Sequence, residues 1–258
     1  MSKIYEPQGR AREYSPLALN YFKGCTHGCA YCYVPRIFQH WNPGYRHDVV
    51  SADIDWQELE ASARKFQGCG KQILLSFTGD PYPDVNPDTT TKVLEILNRY
   101  GHKVAILTKG GSRCLHDLEL FKQFGDRIKV GATLTFDNEK DSLEWEPGGA
   151  LPSDRIDALH TLALEGIKTW VSFEPVIVPE QSLNLLREVA PFIDHVKIGK
   201  INQYKGIDKG IDWQNFIVDA VRICRDWNVP FYIKQDLRAF NRSVTLLPEQ
   251  CDPDHLNI

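Results

Sequence analysis

The sequence predicts an α/β fold: a parallel (β/α) barrel, partial or complete, of six or more units. Two observations lead there. Short apolar segments alternate with amphipathic ones along most of the chain, and polar residues gather where each apolar segment ends. The apolar segments 71–77, 102–108, 127–136, 167–173, 195–199 and 230–234 read as strands, with 17–22 as a first strand ahead of them. Residues 55–66, 89–100, 115–124, 152–165, 181–189 and 213–227 have the amphipathic character of the intervening helices. Apolar strands separated by helices form successive parallel units. A doubly wound open sheet has the same local pattern and stays open as an alternative.

With 258 residues the chain is long enough for one large α/β domain. Residues 1–16, polar and rich in Arg and Glu, read as an arm, 17–245 as the barrel domain and 246–258 as a tail. A formal net charge of -4 gives no global positive field to grip nucleic acid, so any such contact must be local. No run of eighteen apolar residues exists and residues 1–15 lack the hydrophobic centre of a signal peptide. Seven cysteines without framework spacing fit a reducing compartment, so the expected location is the cytoplasm, away from any membrane.

The most informative stretch is YFKGCTHGCAYCYVPR, from Tyr21 to Arg36. Cys25, Cys29 and Cys32 stand at C-x3-C-x2-C spacing, and three thiolates on one loop can each hold one iron of a [4Fe-4S] cube, leaving the fourth iron open to a small molecule. Cys69, Cys114, Cys224 and Cys251 are scattered, so no fourth ligand is evident. The alternatives are a zinc knuckle using His27, or three thiols that lie together by chance. Gly24 and Gly28 allow close backbone approach, and Pro35 closes the segment. Residues 38–50, which follow, read as an irregular aromatic wall with a turn at Pro43-Gly44.

CTHGCAYC resembles the cysteine motif of the radical S-adenosylmethionine (SAM) enzymes, and CAYCY is similar to the branch containing spore photoproduct lyase. The resemblance spans about residues 14–237. It implies a [4Fe-4S] cluster on Cys25, Cys29 and Cys32, with SAM chelated at the open iron and cleaved to a 5'-deoxyadenosyl radical. An external electron donor of flavodoxin or ferredoxin type is implied as a partner. It also implies cofactor contacts from Tyr31 and from the strand ends. Thr78, Gly79 and Asp80 follow the second strand, where the family presents backbone groups to the amino end of SAM, although TGD is a loose match.

Lys109 with Gly110 and Gly111 makes an anion site after the third strand, and in the lyase branch this lysine resembles the contact to the SAM carboxylate. Thr133 and Thr135 share one face of the fourth strand by its period of two, where the family places a polar residue near the ribose. Glu174 sits at the mouth of a buried strand and calls for a cationic partner such as Arg155, Lys109 or Lys200. Its function is either that ion pair or orientation of SAM or substrate.

Tyr33 matches the tyrosine after the third cluster cysteine and is the candidate for relaying a hydrogen or radical. Spore photoproduct lyase carries a further cysteine just ahead of its T-x-D segment, where this chain has Phe77. The resemblance therefore implies hydrogen abstraction from a nucleic-acid base or nucleotide other than the spore photoproduct. The alternatives are a small metabolite or peptide substrate, or a non-catalytic redox protein. Lys234, Arg238 and Arg242 would form a basic stripe if their segment is helical, and 144–155 reads as a lid.

Overall fold

Side chains of a strand point alternately to its two faces, so a row of parallel strands needs helices on one face and a filled interior on the other. The computed structural model, which describes residues 2–52, 54–202, 204 and 206–258, meets that need with an open barrel. In chain order its elements are β1 (Ile4–Tyr5), β2 (Leu17–Leu19), β3 (Phe22–Lys23), α1 (Val34–Trp41), β4 (Ser51–Ala52), α2 (Trp56–Lys65), β5 (Gln72–Leu75), α3 (Asp88–Arg99) and β6 (Lys103–Thr108). There follow α4 (Leu118–Phe124), β7 (Ile128–Thr133), α5 (Glu139–Trp145), α6 (Pro152–Leu164), β8 (Lys168–Val176), α7 (Pro179–Val189), β9 (His195–Lys200), α8 (Trp213–Asp226), β10 (Phe231–Ile233) and α9 (Gln235–Arg238).

The main sheet runs β1-β2-β5-β6-β7-β8-β9-β10, parallel throughout except for the antiparallel edge strand β1. Among the described residues no pairing joins β10 back to β1, so the barrel is partial. Outward-facing Ile73, Val104, Ile106 and Val130 pack against Leu59, Val93 and Phe121 of the helices, and Val171, Val196 and Ile198 do the same against Leu186 and Ile217. Inside, Trp170 fills the middle with Leu74 and Ala105, its indole N–H donating to the Ile106 carbonyl at 3.0 Å. Gly131 makes room for that ring, since a Cβ there would lie 2.5 Å from Trp170 Nε1.

The open side is closed by segments from both ends of the chain. Lys197 Nζ donates to the carbonyls of Glu13, Tyr14 and Pro253 at 2.7, 3.1 and 3.2 Å, and Lys129 Nζ donates to that of Leu256 at 2.5 Å. The segment read as an arm, described from residue 2 to 16, is thus not outside the core: Ile4 is buried, β1 pairs with β2, and Tyr14 packs on Trp170. The reason is that the interior lysines need acceptors, and main-chain carbonyls from the two ends supply them.

Other departures are local. Pro35 falls in the first turn of α1 instead of ending a segment, a position where its missing N–H costs nothing. The start of the predicted helix 115–124 is a tight 3-10 turn that ends at Asp117, and only α4 is α-helical. β7 stops at Thr133, so Thr135 lies beyond the strand. α9 is four residues long, too short to carry Lys234, Arg238 and Arg242 on one stripe; Arg238 instead donates to the Cys251 carbonyl at 2.7 Å. Gln203 and Lys205 of the polar segment after β9 lie outside the described residues.

Candidate active site

β3 and β4 form a small ribbon, separate from the main sheet, from which the cysteine loop springs. Gly24 is obligatory at its start: φ is +82°, and a Cβ would stand 2.2 Å from the Val49 carbonyl oxygen. The loop is then pinned by backbone bonds, Cys25 N–H to His47 O at 2.7 Å, Cys32 N–H to Cys29 O at 3.0 Å and Ala30 N–H to Trp145 O at 2.8 Å. Cys25, Cys29 and Cys32 all open into one cavity of about 570 Å³ beside the C-terminal ends of the strands, where function gathers in such architectures.

The donor set fits a cubane cluster. None of the other four cysteines lines the cavity. Among the described residues no three His, Cys, Asp or Glu side chains converge on a single ion, whereas a cube spreads three thiolates over three irons. Burial pushes all three thiols up, Cys29 to about 11, so the metal must displace their protons to bind.

Around the thiols the wall is polar and mostly self-satisfied. Asp80 accepts from Thr108 Oγ1, from Lys109 N–H at 2.9 Å and from Tyr82 N–H at 2.8 Å, with His27 Nδ1 at 3.4 Å. Burial drives His27 down to about 4, against the pull of Asp80, so its ring is neutral there. Asp80 thus locks the β5 end to the β6 end and to the cysteine loop. Thr78 donates to the Phe22 carbonyl at 3.3 Å and stands behind the wall, while Gly79 and Asp80 line the cavity.

The Lys109 ammonium lines the cavity beside the Tyr31 ring, 5.5 Å from its centroid, with no hydrogen-bond or ion-pair partner among the described residues. Burial lowers its pKa, but Cys29 and Glu146 more than reverse this, and it stays protonated. Tyr31 donates to Glu146, which also takes a bond from Thr135 Oγ1 at 3.2 Å and an ion pair from Arg155 at 2.7 Å, both charged side chains being only 1% exposed. Thr133 faces the cavity, and Thr135 belongs to this buried cluster.

Glu174 has its cation, but it is Lys234 at 2.6 Å and not Arg155, Lys109 or Lys200. The same carboxylate accepts from the Tyr14 hydroxyl, over whose ring Lys234 Nζ sits at 4.3 Å. Tyr33 lines the cavity and donates to the Phe77 carbonyl at 2.9 Å. Tyr14 and Glu146 went unrecognised in the sequence, and Lys234 was read as part of a basic stripe with Arg238 and Arg242, not as the partner of Glu174. The expected lid 144–155 is tied down, with Gly148 N–H bonded to His27 O at 2.9 Å and Ala150 N–H to Lys109 O at 2.8 Å.

A sequence model described as the radical SAM superfamily matches residues 19–193. The chain belongs to that superfamily. As a radical SAM protein it carries the [4Fe-4S] cluster and SAM as cofactors, and enzymes of this superfamily need an electron donor. Among curated sequences, the uncharacterized protein MJ0683 of Methanocaldococcus jannaschii is 31% identical over 163 residues, 62% of this chain. The uncharacterized protein ORF301 of Acidianus two-tailed virus is 28% identical over 175 residues, 64% of this chain. The chain spans 57% of the second relative's length and 60% of the first's.

Spore photoproduct lyase complexed with dinucleoside spore photoproduct superposes with a TM-score of 0.67 at 14% identity, over 88% of this chain and 78% of that one. SuiB of Streptococcus suis bound to S-adenosylmethionine gives 0.61 at 14%, over 89% and 50%. At these identities the likeness is one of fold. No helix among the described residues of this radical SAM chain is long and apolar enough to cross a membrane.

Proposed function

We propose that this chain is an enzyme that cleaves SAM reductively and abstracts hydrogen from a nucleic-acid base or nucleotide other than the spore photoproduct. The observation that carries the proposal is the convergence on a single cavity of three cysteine thiols and the ammonium of Lys109, which is unpaired among the described residues. When bound, the cluster and SAM supply one-electron cleavage of the sulfonium and the 5'-deoxyadenosyl radical that takes the hydrogen. A flavodoxin- or ferredoxin-type protein is the proposed electron donor.

The chain's own residues hold and orient. Cys25, Cys29 and Cys32 each ligate one iron, and Lys109 binds the SAM carboxylate. The proposed SAM contacts also include Tyr31, Gly79, Thr133 and Glu174, with Thr78, Asp80 and Thr135 acting one step back, through the loops they fix. For the substrate, Tyr33 and Phe77 offer aromatic surface on which a base stacks. Among the described residues Glu174 Oε1 has a single long contact, 3.5 Å from Asn202, and can accept an N–H from SAM or from a base. The acidic balance of the chain favours a second reading, in which the substrate is a small metabolite or peptide.

The test is anaerobic reconstitution, reduction with dithionite and assay for 5'-deoxyadenosine, first alone and then with nucleosides, nucleotides and extract fractions. No 5'-deoxyadenosine under any condition would sink the proposal. Stimulation by peptides or metabolites, with none by nucleotides, would select the second reading.

Two further results are expected. Lys109→Ala weakens SAM binding by about 1.5–3 kcal/mol, the worth of a charge-assisted bond, which is roughly one to two orders of magnitude in affinity. Spectroscopic titration of the reconstituted protein with SAM measures it, and unchanged affinity would move Lys109 to the substrate side. The enzyme also cleaves SAM without efficiently repairing the spore photoproduct dinucleoside, because the ring C–H bonds of Phe77 are too strong to return a hydrogen atom as a thiol does. Multiple-turnover conversion of that lesion to thymines would contradict this.

A further inference from the structure

A lysine ammonium sits on a flexible stem, so one that binds a ligand in a fixed place has to be aimed by its neighbours. Lys109 Nζ rests over the Tyr31 ring, 5.5 Å from its centroid. That ring is aimed in turn by its hydroxyl, which donates to Glu146 and stands 3.4 Å from Thr135 Oγ1. The direction of Lys109 therefore depends on where Glu146 sits.

Glu146 is 1% exposed and is held from several sides. Its side chain pairs with Arg155 at 2.7 Å and accepts from Thr135 at 3.2 Å. Its N–H bonds the Ser142 carbonyl at 2.7 Å, ending α5, and its own carbonyl accepts from Gly149 N–H at 2.9 Å. The turn it anchors, 145–150, touches both halves of the site. Ala30 N–H to Trp145 O and Gly148 N–H to His27 O, at 2.8 and 2.9 Å, tie it to the cysteine loop, and Ala150 N–H to Lys109 O, at 2.8 Å, ties it to the lysine. Gly148 allows this approach, since a Cβ there would lie 2.0 Å from the Thr26 carbonyl oxygen. The turn thus spans the cysteine loop and Lys109, and the Glu146–Tyr31 bond joins the same two parts through side chains.

We propose that Glu146 is a positioning residue for SAM: through the Tyr31 hydroxyl it holds Lys109 at the spacing from the cysteine loop that lets SAM meet the open iron and the ammonium together. Glu146 does not line the cavity, so it acts through Tyr31 and the turn and not by contact. The inference rests on the reading of this chain as a SAM-cleaving cluster enzyme with Lys109 on the SAM carboxylate. Groups that orient a ligand-binding residue from behind are commonly worth about 10–100-fold in affinity or activity.

The test uses the reconstituted, reduced protein as wild type, Tyr31→Phe, Glu146→Gln, Lys109→Ala, and each of the first two variants combined with Lys109→Ala. The readouts are iron content, SAM affinity from the change SAM makes in the electron paramagnetic resonance spectrum of the cluster, and KM and kcat for 5'-deoxyadenosine formation. Tyr31→Phe keeps the ring and the Glu146–Arg155 pair and removes the tether between them. It should retain its iron and bind SAM about tenfold more weakly. KM should rise with kcat kept within about twofold, the pattern of lost ground-state binding. Glu146→Gln should weaken SAM binding at least as much. In the Lys109→Ala background neither change should lower affinity further, because the group they aim is gone.

Unchanged SAM affinity in Tyr31→Phe would overturn the inference whatever Glu146→Gln does, because the hydroxyl is the link. So would loss of iron from Tyr31→Phe, or losses that add in full to that of Lys109→Ala; either would make Glu146 a support of the cysteine loop alone. Unchanged affinity in Lys109→Ala itself would remove the lysine from the SAM site and the inference with it. Wild type whose cluster spectrum does not respond to SAM would instead remove the enzyme reading beneath it.

Discussion

Replacing any one of Cys25, Cys29 or Cys32 with alanine is expected to leave no four-iron cluster and to bring SAM cleavage to background. Three irons need three thiolates, and among the cavity-lining residues no other thiol can substitute. His47 is another ligating group close by, 3.6 Å from the Cys32 sulfur, but its Nδ1 is engaged by the Tyr45 hydroxyl and its backbone carbonyl holds Cys25 in place. Iron and sulfide analysis after anaerobic reconstitution gives the answer directly. Four irons retained in any of the three variants would remove the ligand assignment. Alanine at exposed Cys69 should leave the cluster untouched, whereas at buried Cys114 and Cys224 the cluster should persist at a cost of roughly 1 kcal/mol in stability.

The largest expected loss of stability comes from Arg155→Met. This change strands the Glu146 carboxylate inside the protein, and breaking a buried pair from one side costs about 3–5 kcal/mol. In a chain of this size that lowers the melting temperature by on the order of 10 °C. Burial raises the Glu146 carboxyl, but the charges of Arg155 and Lys109 and the bond from Tyr31 more than offset it, leaving the group below its ordinary 4.5. A carboxyl depressed in the folded state stabilises fully above its unfolded value and loses that contribution as pH falls through the folded one.

In the variant, burial remains without its main compensating charge, so the carboxyl rises instead. The gap between wild type and variant should therefore be widest near neutral pH and narrow in acid. Thermal melts from pH 4 to 7 would show it, and a pH-independent gap would contradict the account. The double variant Arg155→Met with Glu146→Leu should recover much of the loss, since the carboxylate that the single change strands is then gone.

What was legible in the sequence and what was not divide by the range of the interaction. Strands β5 to β10 and most helices announce themselves because their periodicity lies within one segment. The cysteine motif is local too. The pair Glu174–Lys234 is not, because it joins residues from two strand ends that only the assembled sheet brings together; Glu146–Arg155 is nearer in sequence, but its turn between α5 and α6 has no periodic signal. Each carboxylate takes the cation that shares its desolvated space, and sequence spacing says nothing about that choice. α1 was missed because a proline near its start and an Asn-Pro-Gly after it look like turn signals, although a first-turn proline suits a helix. The arm reading failed for a related reason: polar composition near a terminus describes the side chains, whereas here it is the carbonyls of Glu13 and Tyr14 that enter the core.

Those carbonyls bear on the order in which the molecule is completed. Lys197 takes two of its acceptors from near the start of the chain and the third from Pro253, 56 residues further on. A nascent chain that has just made β9 can therefore offer the ammonium only two partners, and its third donor must stay hydrated until residue 253 leaves the ribosome. Sheet pairing can proceed strand by strand during synthesis, as domains generally begin from the N-terminal side. Lys197 and Lys129 therefore lack these acceptors until residues 253–256 arrive, after every strand of the sheet has been made.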